Sequence, residues 1–239
     1  MFEGIEVSAR GVDSVAEPVC GCARWVVALR WEVRRFKDWA ASCPNDHRSG
    51  EWECDYGHWG SLYSAVLEFI RSHPVQEWDS EATDAVLYVI ARDNEMEYLA
   101  EQIRENHPVV LLALAEVAVR HGERDAKWQL ADQLSRLSNN DEVERMLLLF
   151  AGDGDEYVRR RALRSLLRIG SAAVEQLALD AWSRPHADQE WSRMMALYCL
   201  WKIKSSHAPA LLALAERDAR PYLAEHARKI IAGTIENEG

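Results

Sequence analysis

Glu97, Glu101 and Glu105 recur every four residues, which puts three carboxylates on one face of a helix, and Asp93 extends the line by another turn. Like charges at this spacing each cost an isolated helix about 0.2–0.5 kcal/mol, so local stability does not select them. Two readings account for the arrangement: an acidic face kept for solvation, or a surface that meets a basic partner. Acid–base catalysis by the same carboxylates is the weakest reading, because nothing in the pattern suggests a desolvated cleft that would shift a pKa. These residues lie in the most acidic part of the chain. Between positions 77 and 105 nine acids stand against Arg92 and Arg104, more than half of the formal charge of −11. Such a field repels nucleic acid and attracts basic proteins.

A second set lies in the stretch 43–60, where Pro44, Asn45, Asp46, Gly50, Gly57 and Gly60 mark a long loop. Cys43, His47, Cys54 and His58 read C-x3-H-x6-C-x3-H, a ligand set of the right types for tetrahedral zinc but without a tight C-x2-C knuckle. No metal or cofactor is assigned on this basis. Cys20 and Cys22 form C-x-C, which does not match a thioredoxin-like motif, and five cysteines leave at least one thiol unpaired. The same loop carries Trp52, Tyr56 and Trp59. Aromatic residues are the usual anchors of protein interfaces, and they are equally suited to capping the end of a helical stack.

Five arginines, Arg159, Arg160, Arg161, Arg164 and Arg168, share the stretch 155–170, DEYVRRRALRSLLRIG. They could grip phosphates, or cover the outside of a helix whose Arg160, Arg164 and Arg168 form a wet stripe partly neutralised by Asp153, Asp155 and Glu156. The other face of this stretch organises the chain. Asp155 can cap, Val158, Ala162, Leu166 and Ile169 share one side, and Gly170 sits where a helix ends in the left-handed conformation. Thirty-four residues on, Ser192, Ala196, Leu200 and Ile203 occupy the same offsets, with Arg193 matching Arg159. A third copy follows at Leu223, Ala227 and Ile231. The hexapeptide LLALAE occurs at 111–116 and again at 211–216, about three such periods apart. A fixed period of this length predicts stacked helical hairpins.

The pattern Asp155, Val158, Arg159, Ala162, Leu163, Leu166, Ile169 and Gly170 resembles the HEAT-like repeat family, and the resemblance covers about 94–233. It implies an all-α fold, a right-handed α-α superhelix of stacked hairpins. It implies little about activity, since such repeats host adaptors, inhibitors, scaffolds and a few DNA glycosylases. The chain departs from the pattern at Ser192, where an aliphatic is preferred, and at Ala224, where an arginine is.

The elements that must position these residues follow from apolar spacing and caps. Helices are expected at 23–41, with Val26, Leu29, Val33, Phe36 and Ala40 inward, at 61–72, and at 81–92 with Ser80 as cap. Asn94 with Glu97 and Asp141 with Glu144 read as capping boxes. Hairpins are expected from 94–105 with 108–121, 124–137 with 141–151, 155–169 with 172–182 and 189–203 with 207–217, closed by a helix at 221–233. Pro108 and Pro209 suit first turns, and Gly122 a C-terminal cap. One domain is expected over 1–239: a divergent cap at 1–93 whose first nineteen residues form an arm or a loosely packed cap, then repeats at 94–239.

The opening MFEGIEVSARG carries Glu3 and Glu6 and no apolar run, and no eighteen apolar residues follow one another. A cytoplasmic protein without a membrane segment is the expectation. There is no Gly-rich phosphate loop, G-x-S-x-G, H-E-x-x-H or EF-hand loop. The expected function is therefore non-enzymatic binding of a basic protein through Asp93, Glu97, Glu101, Glu105, Trp52, Tyr56 and Trp59. An inhibitor, in particular an immunity protein occluding a toxic effector such as a nuclease, fits this charge; the alternatives are an adaptor or scaffold and a HEAT-like DNA glycosylase.

Overall fold

The computed structural model describes residues 21–138, 141–185 and 190–235, with side chains from Arg24 onward. The expected N-terminal arm and Cys20 of the C-x-C pair lie outside the described residues. Regular structure among the described residues is entirely helical: twelve α-helices and three short 3-10 turns, with no strand.

The first helix, α1 (Gly21–Ser42), buries Leu29, Val33 and Phe36 as its spacing dictates. The long loop after it contains two 3-10 turns, Asn45–His47 and Trp52–Asp55, and ends where α2 (Trp59–Ser72) begins. Then comes α3 (Ser80–Arg92). Its cap is Asp79, not Ser80, because the Asp79 carboxylate accepts from the Ala82 N–H at 2.7 Å. The chain continues through α4 (Tyr98–Asn106), α5 (Pro108–His121), α6 (Arg124–Leu134) and α7 (Asp141–Ala151). Asp141, expected as a cap, is the first helical residue of α7. Pro108 opens α5 as expected; Gly122 ends it in an extended conformation, and is required there because a Cβ would lie 2.8 Å from Ala118.

The C-terminal half is α8 (Glu156–Ile169), α9 (Val174–Ser183), α10 (Glu190–Lys202), α11 (Ala208–Ala215) and α12 (Pro221–Ala232). Asp155 caps α8 by accepting from Tyr157 N at 2.8 Å and Val158 N at 3.2 Å. Three helices end alike. Gly170 (φ 73°), Lys204 (φ 57°) and Gly233 (φ 67°) are left-handed. The next amide in each case donates back into its helix, from Ser171 to Leu166 O (3.0 Å), Ser205 to Leu200 O (2.9 Å) and Thr234 to Lys229 O (3.0 Å). Ser171 and Ser205 then make matching contacts. Ser171 Oγ donates to Glu144 (2.5 Å) and accepts from Ala173 N (3.2 Å); Ser205 Oγ donates to Glu175 (2.6 Å) and accepts from His207 N (3.1 Å).

Each expected hairpin pair is in contact, although α7 packs more extensively on α8 than on α6, and α9 more on α10 than on α8. A row of helices runs through the molecule: α1 touches α3, α3 touches α6, and from there every second helix, α6, α8, α10 and α12, follows in succession. One core cluster extends from Leu29 to Ala208, and a smaller one gathers Leu197, Leu212, Leu223, Ala227 and Ile230. The third repeat copy is therefore read incorrectly at its last position: Ile231 is 56 % exposed, and Ile230 is the buried residue. Its spacing is four then three residues, which keeps the side chain over the α10 contact. No helix among the described residues is long and apolar enough to cross a membrane.

Lys204 bears a Cβ in a conformation that costs an L-residue about 1–2 kcal/mol. Lys204→Gly is expected to stabilise the fold by about 0.5–1 kcal/mol after the entropy glycine adds to the unfolded chain. Thermal melting followed by circular dichroism should show a rise for Lys204→Gly and a fall for Gly170→Ala; equal melting of all three proteins contradicts the assignment.

Candidate functional site

The acidic line is broken by the structure at its first two members. Asp93 is only 2 % exposed. It ends α3 and folds its carboxylate under the following turn, where Oδ1 accepts from the Tyr63 hydroxyl (2.6 Å) and Oδ2 from the Leu99 N–H (2.7 Å). Asp93 thus does the capping expected of Asn94 and Glu97, and no capping box forms: Glu97 is left-handed (φ 51°) and α4 starts after it. Burial pushes the Asp93 carboxyl above its ordinary value, opposed by those hydrogen bonds. Burial and the bond to Asp93 together hold the Tyr63 hydroxyl protonated.

Glu97 turns away from solvent towards the arginine helix, with Arg161 at 4.0 Å. Burial pushes its carboxyl up, and Arg161 acts against that shift. Glu101 and Glu105 remain exposed, sharing Arg104 at 3.4 and 2.6 Å. The expected wet stripe of arginines is likewise corrected. Arg160 pairs with Glu156 (3.1 Å) and lies over Tyr157; Arg161 lies over Trp128 (4.6 Å); Arg168 reaches Asp132 (3.3 Å) and Ser135 (2.8 Å). Arg159 donates to the Asp153 and Gly154 carbonyls. Burial raises the Asp132 carboxyl, but Arg168 and Arg136 more than offset it and hold it below the usual range. The acids and arginines that looked like two unanswered surfaces thus answer one another in part.

The loop aromatics also point inward. Tyr56 is buried against Phe36 (4.7 Å between ring centres), Trp52 stacks on Trp39 (5.5 Å), and Trp59 packs on Phe36 (5.3 Å) while its indole donates to Glu53 O (2.8 Å). Of the two readings of this trio, capping describes Tyr56 fully: it has no surface to offer a partner. The aromatic run does not stop there, since Trp59 stacks on Tyr63 (5.1 Å) and Tyr63 meets Tyr98 (4.9 Å).

That run forms one wall of an open cleft of about 600 Å³ where loop and acidic segment meet. Trp59, Tyr63, Leu67, Met96 and Tyr98 supply its apolar lining, Asp93 its floor, and Cys54, Arg92 and Glu95 its polar edge. Met96 is 70 % exposed and Tyr98 37 %. Arg92 is already engaged, over Tyr88 (5.0 Å), with Glu53 (3.9 Å) and with Glu123. Glu51, Asp55 and Glu95 are exposed and have no ion-pair partner among the described residues. Their field is felt at Cys54, whose thiol is raised by burial and then by Glu51, Glu95, Glu53 and Asp55. Tyr63, Glu95, Met96 and Tyr98 were not singled out from the sequence; the spacing of Trp59 and Tyr63 was the available signal.

Cys43, His47, Cys54 and His58 do not converge: among the described residues no group of three or more His, Cys, Asp or Glu side chains could hold a metal ion. A wider groove of about 880 Å³ between α1 and α2 passes Trp25, Val27 and Trp31, and its Glu68 and Arg71 pair with each other. No protein-family model matches the chain, and no curated protein matches it.

The two buried aspartates should respond to acid with opposite sign. The Asp132 carboxyl is lowered by folding, so its stabilisation is present above the unfolded value of about 3.9 and is lost as pH falls through the folded one. Asp93 is raised, so its contribution is fullest below about 3.9 and is lost as pH rises through the folded value. Urea unfolding at about pH 2 to 7 should therefore show a flatter acid limb for Asp132→Asn and a steeper one for Asp93→Asn. Asp93→Ala, which strands the Leu99 N–H, should cost about 1–3 kcal/mol throughout.

Proposed function

We propose that the chain is a non-enzymatic, protein-binding helical repeat protein whose cleft face docks a basic partner. The carrying observation is the meeting of exposed apolar side chains with an unpaired carboxylate: Met96 and Tyr98 line the cleft with Glu95, and Glu51 and Asp55 add their charge at Cys54 on its edge. An apolar centre with a polar, charged rim is the usual anatomy of a protein contact. The row of helices from α1 to α12 and the matching helix ends at Gly170 and Lys204 support reading the chain as a superhelix of HEAT-like hairpins. Such a stack presents a surface fixed before binding, which lowers the ordering cost of association.

Within that class the reading we take is an inhibitor, an immunity protein that occludes a basic toxic effector such as a nuclease. Glu95 and Glu101 stand where Asp93 and Glu97 were expected to act, because the latter two are occupied within the fold. The glycosylase alternative has an acid among aromatics in Asp93, Tyr63 and Trp59, but the free carboxylates at the cleft edge would repel DNA. An adaptor or scaffold uses the same surface, and differs only in what is bound.

Affinity capture from native lysate at low and high salt tests the reading. A basic protein should be retained at low salt, released at high salt, and lost with Glu95→Lys combined with Glu101→Lys. Retention of duplex DNA, or a partner indifferent to both salt and the double variant, overturns it.

A further inference from the structure

The molecule places its own arginines in a recurrent setting of one aromatic ring and one carboxylate. Arg161 lies 4.6 Å from the Trp128 ring centre with Glu97 at 4.0 Å. Arg160 lies 4.7 Å from the Tyr157 ring centre with Glu156 at 3.1 Å. A planar guanidinium suits this setting because it stacks on a ring face while its edge donates to the acid. The cleft offers the same two ingredients without the cation: the exposed Tyr98 ring and Met96 side chain, the unpaired Glu95, and the buried Asp93 carboxylate below them. Arg92 does not supply it, being held by Tyr88, Glu53 and Glu123.

We propose that the cleft between α2 and the α3–α4 turn receives an arginine side chain of the partner protein, its guanidinium lying against Tyr98 and donating to Glu95. This rests on the protein-binding reading and names the chemistry that reading leaves open. The size is appropriate, since 600 Å³ accommodates one long side chain with the backbone that carries it. Charge complementarity selects a cation, because Glu95 lines the opening without an ion-pair partner among the described residues, Glu51 and Asp55 act on Cys54 at its edge, and the lining Arg92 is engaged. The flat apolar wall selects guanidinium over ammonium, which keeps its water more tightly and has no planar face to lay on a ring.

The test uses the full chain, labelled at methionine methyls and tryptophan indole nitrogens, with Nα-acetyl-arginine methylamide as probe. Its neutral isostere, Nα-acetyl-citrulline methylamide, and the lysine analogue serve as controls. The Met96 methyl and Trp59 indole resonances should shift saturably with the arginine probe, in the millimolar range, and at least tenfold more weakly with citrulline. Glu95→Gln should weaken the arginine response at least threefold with unchanged thermal melting, since Glu95 is exposed and makes no internal ion pair. Equal responses to arginine and citrulline, equal responses to arginine and lysine, or shifts confined to the Glu101–Glu105 face each overturn the assignment. If the probe fails while the Glu101→Lys change alone still abolishes capture of a basic protein, only this inference falls. If the probe binds as expected and no basic protein depends on the cleft, its preference for guanidinium stands, while the protein-binding reading falls and with it the protein source of the arginine.

Discussion

A polar side chain in the seam between two helices needs a partner across that seam, and that constraint ties these helices together. Glu144 is answered by Ser171, Glu175 by Ser205, Glu156 by Ser192, Asp132 by Arg168, and Glu190 by the Leu223 amide. Each tie joins positions about one repeat apart. Apolar packing alone would allow neighbouring helices to slide by a turn, since leucines and alanines recur along each face. A hydrogen bond from one serine to one carboxylate does not allow it. Register along the row α6, α8, α10 and α12 is therefore set by polar contacts laid over a hydrophobic core.

The same rule explains why the core face of these helices could be seen in the sequence while their polar contacts could not. Val158, Ala162 and Leu166 are buried because apolar periodicity speaks directly of the core. Ser192, which looked like a departure from the repeat, is buried for its hydroxyl, which bonds Glu156 at 2.7 Å. The two copies of LLALAE show what periodicity leaves out: Leu114 is buried in α5, whereas Leu214 in α11 is 62 % exposed. The hexapeptide is identical; α5 is packed by α3, α4, α6 and α7, but α11 by α10 and α12. Burial at the end of a stack depends on neighbours that no local window contains.

The site was less legible than the fold for a related reason. A charged stretch in a sequence shows its sign but not its counter-ions, and here part of the counter-charge lies more than sixty residues away, where Arg161 faces Glu97. Asp93, Glu97, Glu101 and Glu105 keep helical spacing, yet a left-handed residue at Glu97 divides them between a buried cap and an exposed face. The aromatic loop misled in the opposite way. Trp52, Tyr56 and Trp59 sit among turn residues, which suggested exposure, while the ring contacts with Trp39 and Phe36 make them the end cap of the core.

What remains at the surface after this internal pairing defines the site better than the raw composition. A net charge of −11 sets a diffuse field that steers basic molecules towards the whole chain. Specific contact needs desolvated apolar area next to charge that the fold has not already used, because a pair exposed to water contributes little. Glu101 and Glu105 satisfy the second condition poorly, with Arg104 between them. Glu95 satisfies both, next to Met96 and Tyr98 at the mouth of a cleft floored by a buried carboxylate. The α3–α4 turn, forced open by the left-handed Glu97 and pinned by Asp93 to Tyr63 and Leu99, is what holds these side chains at that mouth. The residue that caps α4 from within is thus also the one that fixes the geometry of the surface above it.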